Sequence, residues 1–86
     1  MSDKLAWKHQ LLTITMEECG ELIQACSKVA RFGFEKEKVD EIAKEAGDVL
    51  AMIELMVEYG WITQQQLNNR IPIKRNKLKI YSDILK

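Results

Sequence analysis

The stretch from Glu18 to Asp48 decides the fold and reads ECGELIQACSKVARFGFEKEKVDEIAKEAGD. It begins and ends with near copies of one acidic phrase, ECGE at 18–21 and EAGD at 45–48. Two acids at i and i+3 project from one side of a helix. Glu21 and Glu45 each lie twelve residues from Gly33, and Glu18 and Asp48 each lie fifteen from it. A turn at Gly33 therefore brings the four carboxylates together across a helical hairpin.

Four carboxylates that face one another repel, and a bound cation would offset this repulsion. Like charges at this range repel by roughly 1 to 4 kcal/mol per pair, depending on the effective dielectric. The glycine before each second acid also allows a neighbouring backbone to come close. We interpret the two phrases as a metal site, and a salt-bridged helix surface is the alternative.

Two long helices are predicted on either side of Gly33. The first runs from residue 3 to about 31, and its apolar arc covers roughly 200°, which predicts burial on two sides. The second runs from about Glu37 to Tyr59 and is stopped by Gly60. Its predicted main apolar face contains Val39, Ile42, Ala46, Val49, Leu50, Ile53 and Val57. Its second stripe is predicted to be covered throughout and contains Glu41, Glu45, Asp48, Met52, Leu55 and Tyr59.

The last third of the chain predicts two shorter helices. Residues 63–66, TQQQ, have the form of a capping box and predict a short third helix that ends at Asn68-Asn69. Pro72 suits the first turn of a last helix. The expected fold is all-α, with the long hairpin completed by a partner chain into a four-helix bundle and short C-terminal helices after it.

Composition limits the chain to a single domain, residues 1–86. No apolar run approaches the roughly 20 residues that span a bilayer, and the start lacks a signal-peptide core. We therefore expect a soluble, cytoplasmic protein without a membrane partner. Cys19 and Cys26 lack metal or redox spacing and are predicted to be reduced core residues. A small core and two-sided burial of the first helix together predict a homodimer or a homotetramer.

The acidic pattern resembles the signature of the MazG-like, all-α nucleoside triphosphate pyrophosphohydrolases. Glu17, Glu18 and Glu21 form E-E-x-x-E, and Glu45 and Asp48 form E-x-x-D after 23 intervening residues. The resemblance covers about residues 5 to 81. It implies hydrolysis of a nucleoside triphosphate to the monophosphate and pyrophosphate, with Mg²⁺ as cofactor and Mn²⁺ as a possible substitute.

The resemblance also implies roles for individual residues. Glu18, Glu21, Glu45 and Asp48 match the metal ligands, and Glu17 matches the first acid of the motif, for which we favour an outer-shell or water-orienting role. The resemblance places two further positions near the polyphosphate, Asn76 and Lys79. From the residues alone, three more side chains are candidates for substrate contact: Lys74 for phosphate, and Trp7 and Gln10 for base or sugar. A solvated surface for Lys74, and a core or interface position for Trp7, are the alternatives.

Two other functions compete with this interpretation. Phosphoribosyl-ATP pyrophosphatases carry a similar acidic motif, but a histidine commonly follows their second half, whereas this chain has VLAMI at 49–53. A non-catalytic oligomerisation or nucleic-acid-binding module would use the basic residues between 70 and 79. Five bases are few for that purpose, and the acidic residues between 17 and 58 would repel phosphate. We therefore do not expect nucleic acid as a partner.

Overall fold

A computed structural model describes residues 5–85. Within that range the chain is all-helical, as predicted, with α1 at Ala6–Phe32, α2 at Lys36–Glu58 and α3 at Gln64–Tyr81. The predicted start of the first helix at residue 3 lies outside the described residues. The chain divides into two compact units, the first ending at Leu55 and the second beginning at Met56. Assignment of residues 1–86 to a single domain stays a prediction.

The turn between α1 and α2 is made by Gly33, as predicted. Its φ of 102° lies in the left-handed region that favours glycine, and its N–H donates to the Val29 carbonyl oxygen at 2.8 Å. The two helices run antiparallel from this turn, since contacts join them both beside the turn and several turns away from it. Beside the turn, the Lys38 ammonium on α2 lies 5.8 Å from the centre of the Phe32 ring on α1. Further along, Glu18 on α1 approaches Glu45 on α2.

The buried apolar side chains of the hairpin lie between α1 and α2, and those of α1 share one side of that helix. They are Leu11, Ala25 and Val29 of α1, together with Met52 of α2. The predicted second side of α1 remains exposed in the single chain, with Met16 and Ile23 66% and 69% accessible. Cys19 and Cys26 lie on that exposed stripe. Both are free thiols, as predicted, but their assignment to the core is wrong because α2 covers only the neighbouring side of α1.

The predicted main apolar face of α2 is only partly covered in the single chain, where five of its seven residues are half-buried. Val39 and Leu50 of that face are exposed, whereas Glu45 and Met52 of the second stripe are the buried residues of α2. That stripe is covered only in its middle, since Glu41 and Tyr59 at its two ends are exposed. A helix with one neighbour buries an arc of about 100°, and α1 is the neighbour here. The carboxylate of Glu45 therefore lies on the face of α2 that contacts α1.

The glycines before the second acids have no neighbouring backbone beside them within the described part of the single chain, so the predicted close approach stays a prediction. A Cβ built at Gly20 or Gly47 would meet nothing within 4 Å. Each glycine follows an inward-facing glutamate, Glu18 or Glu45, by two residues, which is roughly 200° around a helix. Both positions therefore lie away from the contact between α1 and α2.

The C-terminal region contains one long helix rather than two short ones. The predicted capping box is confirmed: Gln66 N–H donates to Thr63 Oγ1 at 3.1 Å, and Thr63 N–H donates to Gln66 Oε1 at 2.8 Å. The predicted stop at Asn68-Asn69 is wrong, because α3 continues through both asparagines to Tyr81. Gln64 Nε2 donates to Asn68 Oδ1 at 2.9 Å, an i,i+4 pair of the kind that adds a little to helix stability. Pro72 lies inside α3 and not in a first turn.

Replacing Thr63 by alanine is expected to lower the free energy of unfolding by about 1 kcal/mol. The reason is that the backbone N–H of Gln66 loses its acceptor at the exposed start of α3. Chemical denaturation followed by circular dichroism measures the change. Thr63→Ser keeps the hydroxyl and serves as the control, so equal stability of both variants would contradict a role for the cap.

No helix within residues 5–85 is long and apolar enough to cross a membrane.

Candidate metal centre

Three carboxylates meet between α1 and α2. Glu18 of α1 and Glu45 and Asp48 of α2 each place one oxygen within 4.8 Å of the other two. The antiparallel hairpin around Gly33 explains this meeting, as the spacing of the acidic phrases predicted. An oxygen-only donor set of this kind suits a hard divalent cation such as Mg²⁺.

Glu45 is the most deeply placed of the three carboxylates. Its side chain is only 5% exposed, and its Oε1 accepts a hydrogen bond from Lys44 Nζ at 2.7 Å. The same ammonium lies 3.8 Å from Asp48 Oδ2, and about half of the Asp48 side chain remains in solvent. A carboxylate is seldom buried without partial or full charge compensation. The buried position of Glu45 is therefore consistent with a cation site.

The surroundings of Glu18 disfavour its ionised form. Partial burial raises the pKa of Glu18, and the charges of Asp48 and Glu45 raise it further. A hydrogen bond to Asp48, which only the protonated carboxyl of Glu18 can donate, and the charge of Glu21 act in the same direction. The pKa of Lys44 is also raised, first by its hydrogen bond to Glu45 and then by the Glu45 charge, against the desolvation that lowers it.

The other two predicted acids lie outside the cluster. Glu21 is exposed one turn along α1 from Glu18 and does not belong to the group of three. Its charge nevertheless contributes to the raised pKa of Glu18. A separation of three residues turns a side chain by roughly 60° around the helix, which moves Glu21 toward the edge of the contact. Glu17 is exposed as well. The structure thus brings together three of the four predicted ligands.

A divalent cation fits these residues. All donors are carboxylate oxygens, the innermost side chain is almost fully buried, and the charges of Asp48 and Glu45 add to burial in raising the pKa of Glu18. Glu18, Glu45 and Asp48 would hold the ion. Glu21 would join them after a rotation of its exposed side chain.

Two predicted substrate residues of the second unit line one cavity. Asn76 and Lys79 of α3 surround an open cavity of about 720 Å³ together with Pro72, Arg75, Ile84 and Leu85. Lys74 is exposed on α3 but is not part of this lining. Arg75 was not among the predicted site residues. Its position one residue before Asn76 and four before Lys79, on the same helix, was the available signal.

The two predicted base or sugar contacts lie near the start of α1. Trp7 is 40% exposed, and the Lys8 ammonium lies 5.7 Å from the centre of a Trp7 ring. Gln10 is exposed. Neither residue is part of the carboxylate cluster, and their contact with substrate stays a prediction. The sequence analysis did not single out Lys44, which contacts the cluster. The available signal was its position, one residue before Glu45 and four before Asp48.

Fold and site together define an all-helical protein with a carboxylate cluster across a helical hairpin. The family model of the MazG nucleotide pyrophosphohydrolase domain matches residues 7–75. The chain belongs to this family, which confirms the resemblance seen in the acidic motifs. Comparisons with curated proteins and with solved structures gave no match.

Proposed function

We propose that the protein hydrolyses nucleoside triphosphates between the α and β phosphates, releasing a nucleoside monophosphate and pyrophosphate. The observation that carries this proposal is the cluster of Glu18, Glu45 and Asp48 within a chain whose family consists of nucleotide pyrophosphohydrolases. Mg²⁺ is the proposed cofactor, and Mn²⁺ the substitute. When bound, the cation would offset the phosphate charge and lower the pKa of a bound water.

The carboxylates have distinct tasks in this proposal. Glu45 is a rigid ligand because its side chain is buried, and Asp48 is a half-exposed ligand on the same face of α2. Glu18 presents its oxygen from α1 and would bind a cation in its ionised form, which burial and the charges of Asp48 and Glu45 disfavour in the metal-free chain. Glu21 is the proposed fourth ligand, and the exposed Glu17 is proposed to orient water.

The basic residues of α3 have a complementary role. Lys79, Arg75 and Asn76 offer hydrogen-bond donors on one cavity wall, and a polyphosphate requires such donors. Lys74 is a proposed additional phosphate contact, and Trp7 and Gln10 are proposed to contact base or sugar. The cytoplasm is the proposed location, since its nucleotide pool would supply the substrate.

A panel of ribo- and deoxyribonucleoside triphosphates tests the reaction. Purified protein is incubated with each nucleotide and Mg²⁺, and pyrophosphate is distinguished from orthophosphate, with EDTA as the control. We expect metal-dependent release of monophosphate and pyrophosphate. Phosphoribosyl-ATP is included as a substrate, and preferential cleavage of it would overturn the proposed specificity. Absence of turnover, with salt-dependent nucleic-acid binding that survives EDTA, would overturn the enzymatic proposal.

We further propose that the chain is a homodimer or a homotetramer in which a second hairpin completes a four-helix bundle. The support is the apolar stripe on α1 that α2 leaves uncovered. Its members at least 40% exposed include Leu12, Met16 and Ile23. A contiguous exposed apolar stripe of this kind is typical of a surface that contacts another chain.

Replacing Ile23 by glutamate is therefore expected to reduce the native mass toward that of the 10.0 kDa chain. Ile23 is 69% exposed in the single chain, so the introduced charge would destabilise the contact between chains and not the packing of the hairpin. Light scattering at fixed protein concentration measures the mass. Gln24→Glu adds the same charge at an exposed position roughly 100° away around α1 and should leave the mass unchanged. A wild-type mass near that of one chain would contradict the assembly.

A further inference from the structure

Lys44 contacts the carboxylate cluster although it belongs to neither acidic motif. Its Nζ donates to Glu45 Oε1 at 2.7 Å and lies 3.8 Å from Asp48 Oδ2. Glu45 and Asp48 are two of the three clustered carboxylates. One ammonium therefore already interacts with most of the residues that would hold a cation.

The ammonium and a divalent cation compete for this position. Lys44 uses an acceptor site of Glu45 Oε1, and a second positive charge a few ångströms away would repel it. The two partners differ in freedom, because the Lys44 side chain is 63% exposed whereas that of Glu45 is 5% exposed. When a cation binds, Lys44 can withdraw into water and Glu45 stays in place. An exposed ammonium loses little on such a move.

We infer that Lys44 is a tethered counter-ion, which occupies the carboxylate cluster of the metal-free protein and is displaced when a divalent cation binds. The inference rests on the proposed function, since it concerns the same metal centre. It assigns Lys44 two effects. The residue reduces carboxylate repulsion in the metal-free chain, and it weakens the binding of free metal because the cation must first displace it.

The chain offers a matched control on the same helix. Lys36 donates to Asp40 Oδ2 at 2.8 Å, and both side chains are exposed. Asp40 is not part of the carboxylate cluster. Lys36→Met thus removes one lysine and one unit of positive charge from α2, as Lys44→Met does, but the only ion pair it breaks is the one with Asp40, and it leaves the cluster untouched.

Titration with Mn²⁺ alone tests the inference without catalysis. Electron paramagnetic resonance reports free Mn²⁺ in solutions of the full chain, without nucleotide, for wild type, Lys44→Met, Lys44→Gln and Lys36→Met. We expect Lys44→Met and Lys44→Gln to lower the Kd for Mn²⁺ by about three- to tenfold. Lys36→Met is expected to stay within about twofold of wild type, because an exposed charge away from the cluster is largely screened.

The outcomes separate the inference from the proposed function. Equal or weaker Mn²⁺ binding by the Lys44 variants, with clear binding by wild type, would overturn the counter-ion inference and leave the metal centre standing. No Mn²⁺ binding by any of the proteins would overturn both. If Lys44→Met does not fold, Lys44→Gln decides by the same criterion, since its amide can still donate to Glu45 without carrying charge.

Discussion

Replacing Glu45 by glutamine is expected to lower turnover of nucleoside triphosphates by about 100-fold or more. Glutamine preserves the shape of a side chain that is only 5% exposed, and its amide oxygen can still accept the hydrogen bond from Lys44. What it lacks is the charge that a cation requires. The chain should therefore fold with nearly unchanged stability while losing the innermost ligand of the proposed metal centre.

The measurement combines kcat/KM for pyrophosphate release with Mn²⁺ binding to the same samples. Glu54→Gln is the matched control, because Glu54 is an exposed acid of α2 outside the cluster. It should keep wild-type values in both assays. Activity of Glu45→Gln within a few-fold of wild type would remove Glu45 from the site, whatever its effect on metal binding.

The hairpin and most of its cluster could be predicted because both depend on local rules. Acids at i and i+3 share a helix face, and Gly33 supplies the left-handed turn with φ of 102°. Equal spacing on both sides of that turn pairs Glu18 with Asp48 and Glu21 with Glu45, and the structure brings Glu18, Glu45 and Asp48 together. The capping box at Thr63 was predictable for the same reason, since its two hydrogen bonds join residues three apart.

The choice of the buried face could not be predicted in this way. Both stripes of α2 contain apolar residues, and periodicity cannot tell which of them contacts α1 and which remains exposed in the single chain. The structure places Met52 and Glu45 inside and leaves Leu50 58% exposed. The position of Glu21 outside the cluster has a similar cause, because a rotation of roughly 60° around α1 matters only once the neighbouring helix is in place.

The continuity of α3 could not be predicted from residue types. Asn68-Asn69 followed by Pro72 is typical of a helix end and a new start. The helix nevertheless continues through the asparagines and the proline to Tyr81, and residue types alone do not indicate this. The lining formed by Arg75, Asn76 and Lys79 does not depend on this continuity, since a helix that began at Pro72 would also carry all three residues.

Replacing Glu18 by glutamine is expected to change activity and stability in opposite directions. Turnover should fall by about 100-fold or more, because Glu18 is the only clustered carboxylate that α1 contributes. The metal-free chain should become more stable at neutral pH, since the variant removes a charge that lies beside Asp48 and Glu45. Few substitutions in a packed hairpin combine loss of function with a gain in stability, so the pair of effects is diagnostic of a site selected for metal.

The pH dependence of that stability gain has a defined sign. In the folded chain the pKa of Glu18 lies above its ordinary value of 4.5. The folded chain therefore binds this proton more tightly than the unfolded chain does. Wild-type stability in EDTA should therefore fall as the pH rises through the raised pKa, and Glu18→Gln should lack this component. Thermal unfolding of both proteins between about pH 4 and pH 8 measures the difference, with Glu54→Gln as the control. A stability gain in Glu18→Gln that is as large below the ordinary pKa as at neutral pH would show that packing, rather than carboxylate repulsion, causes it.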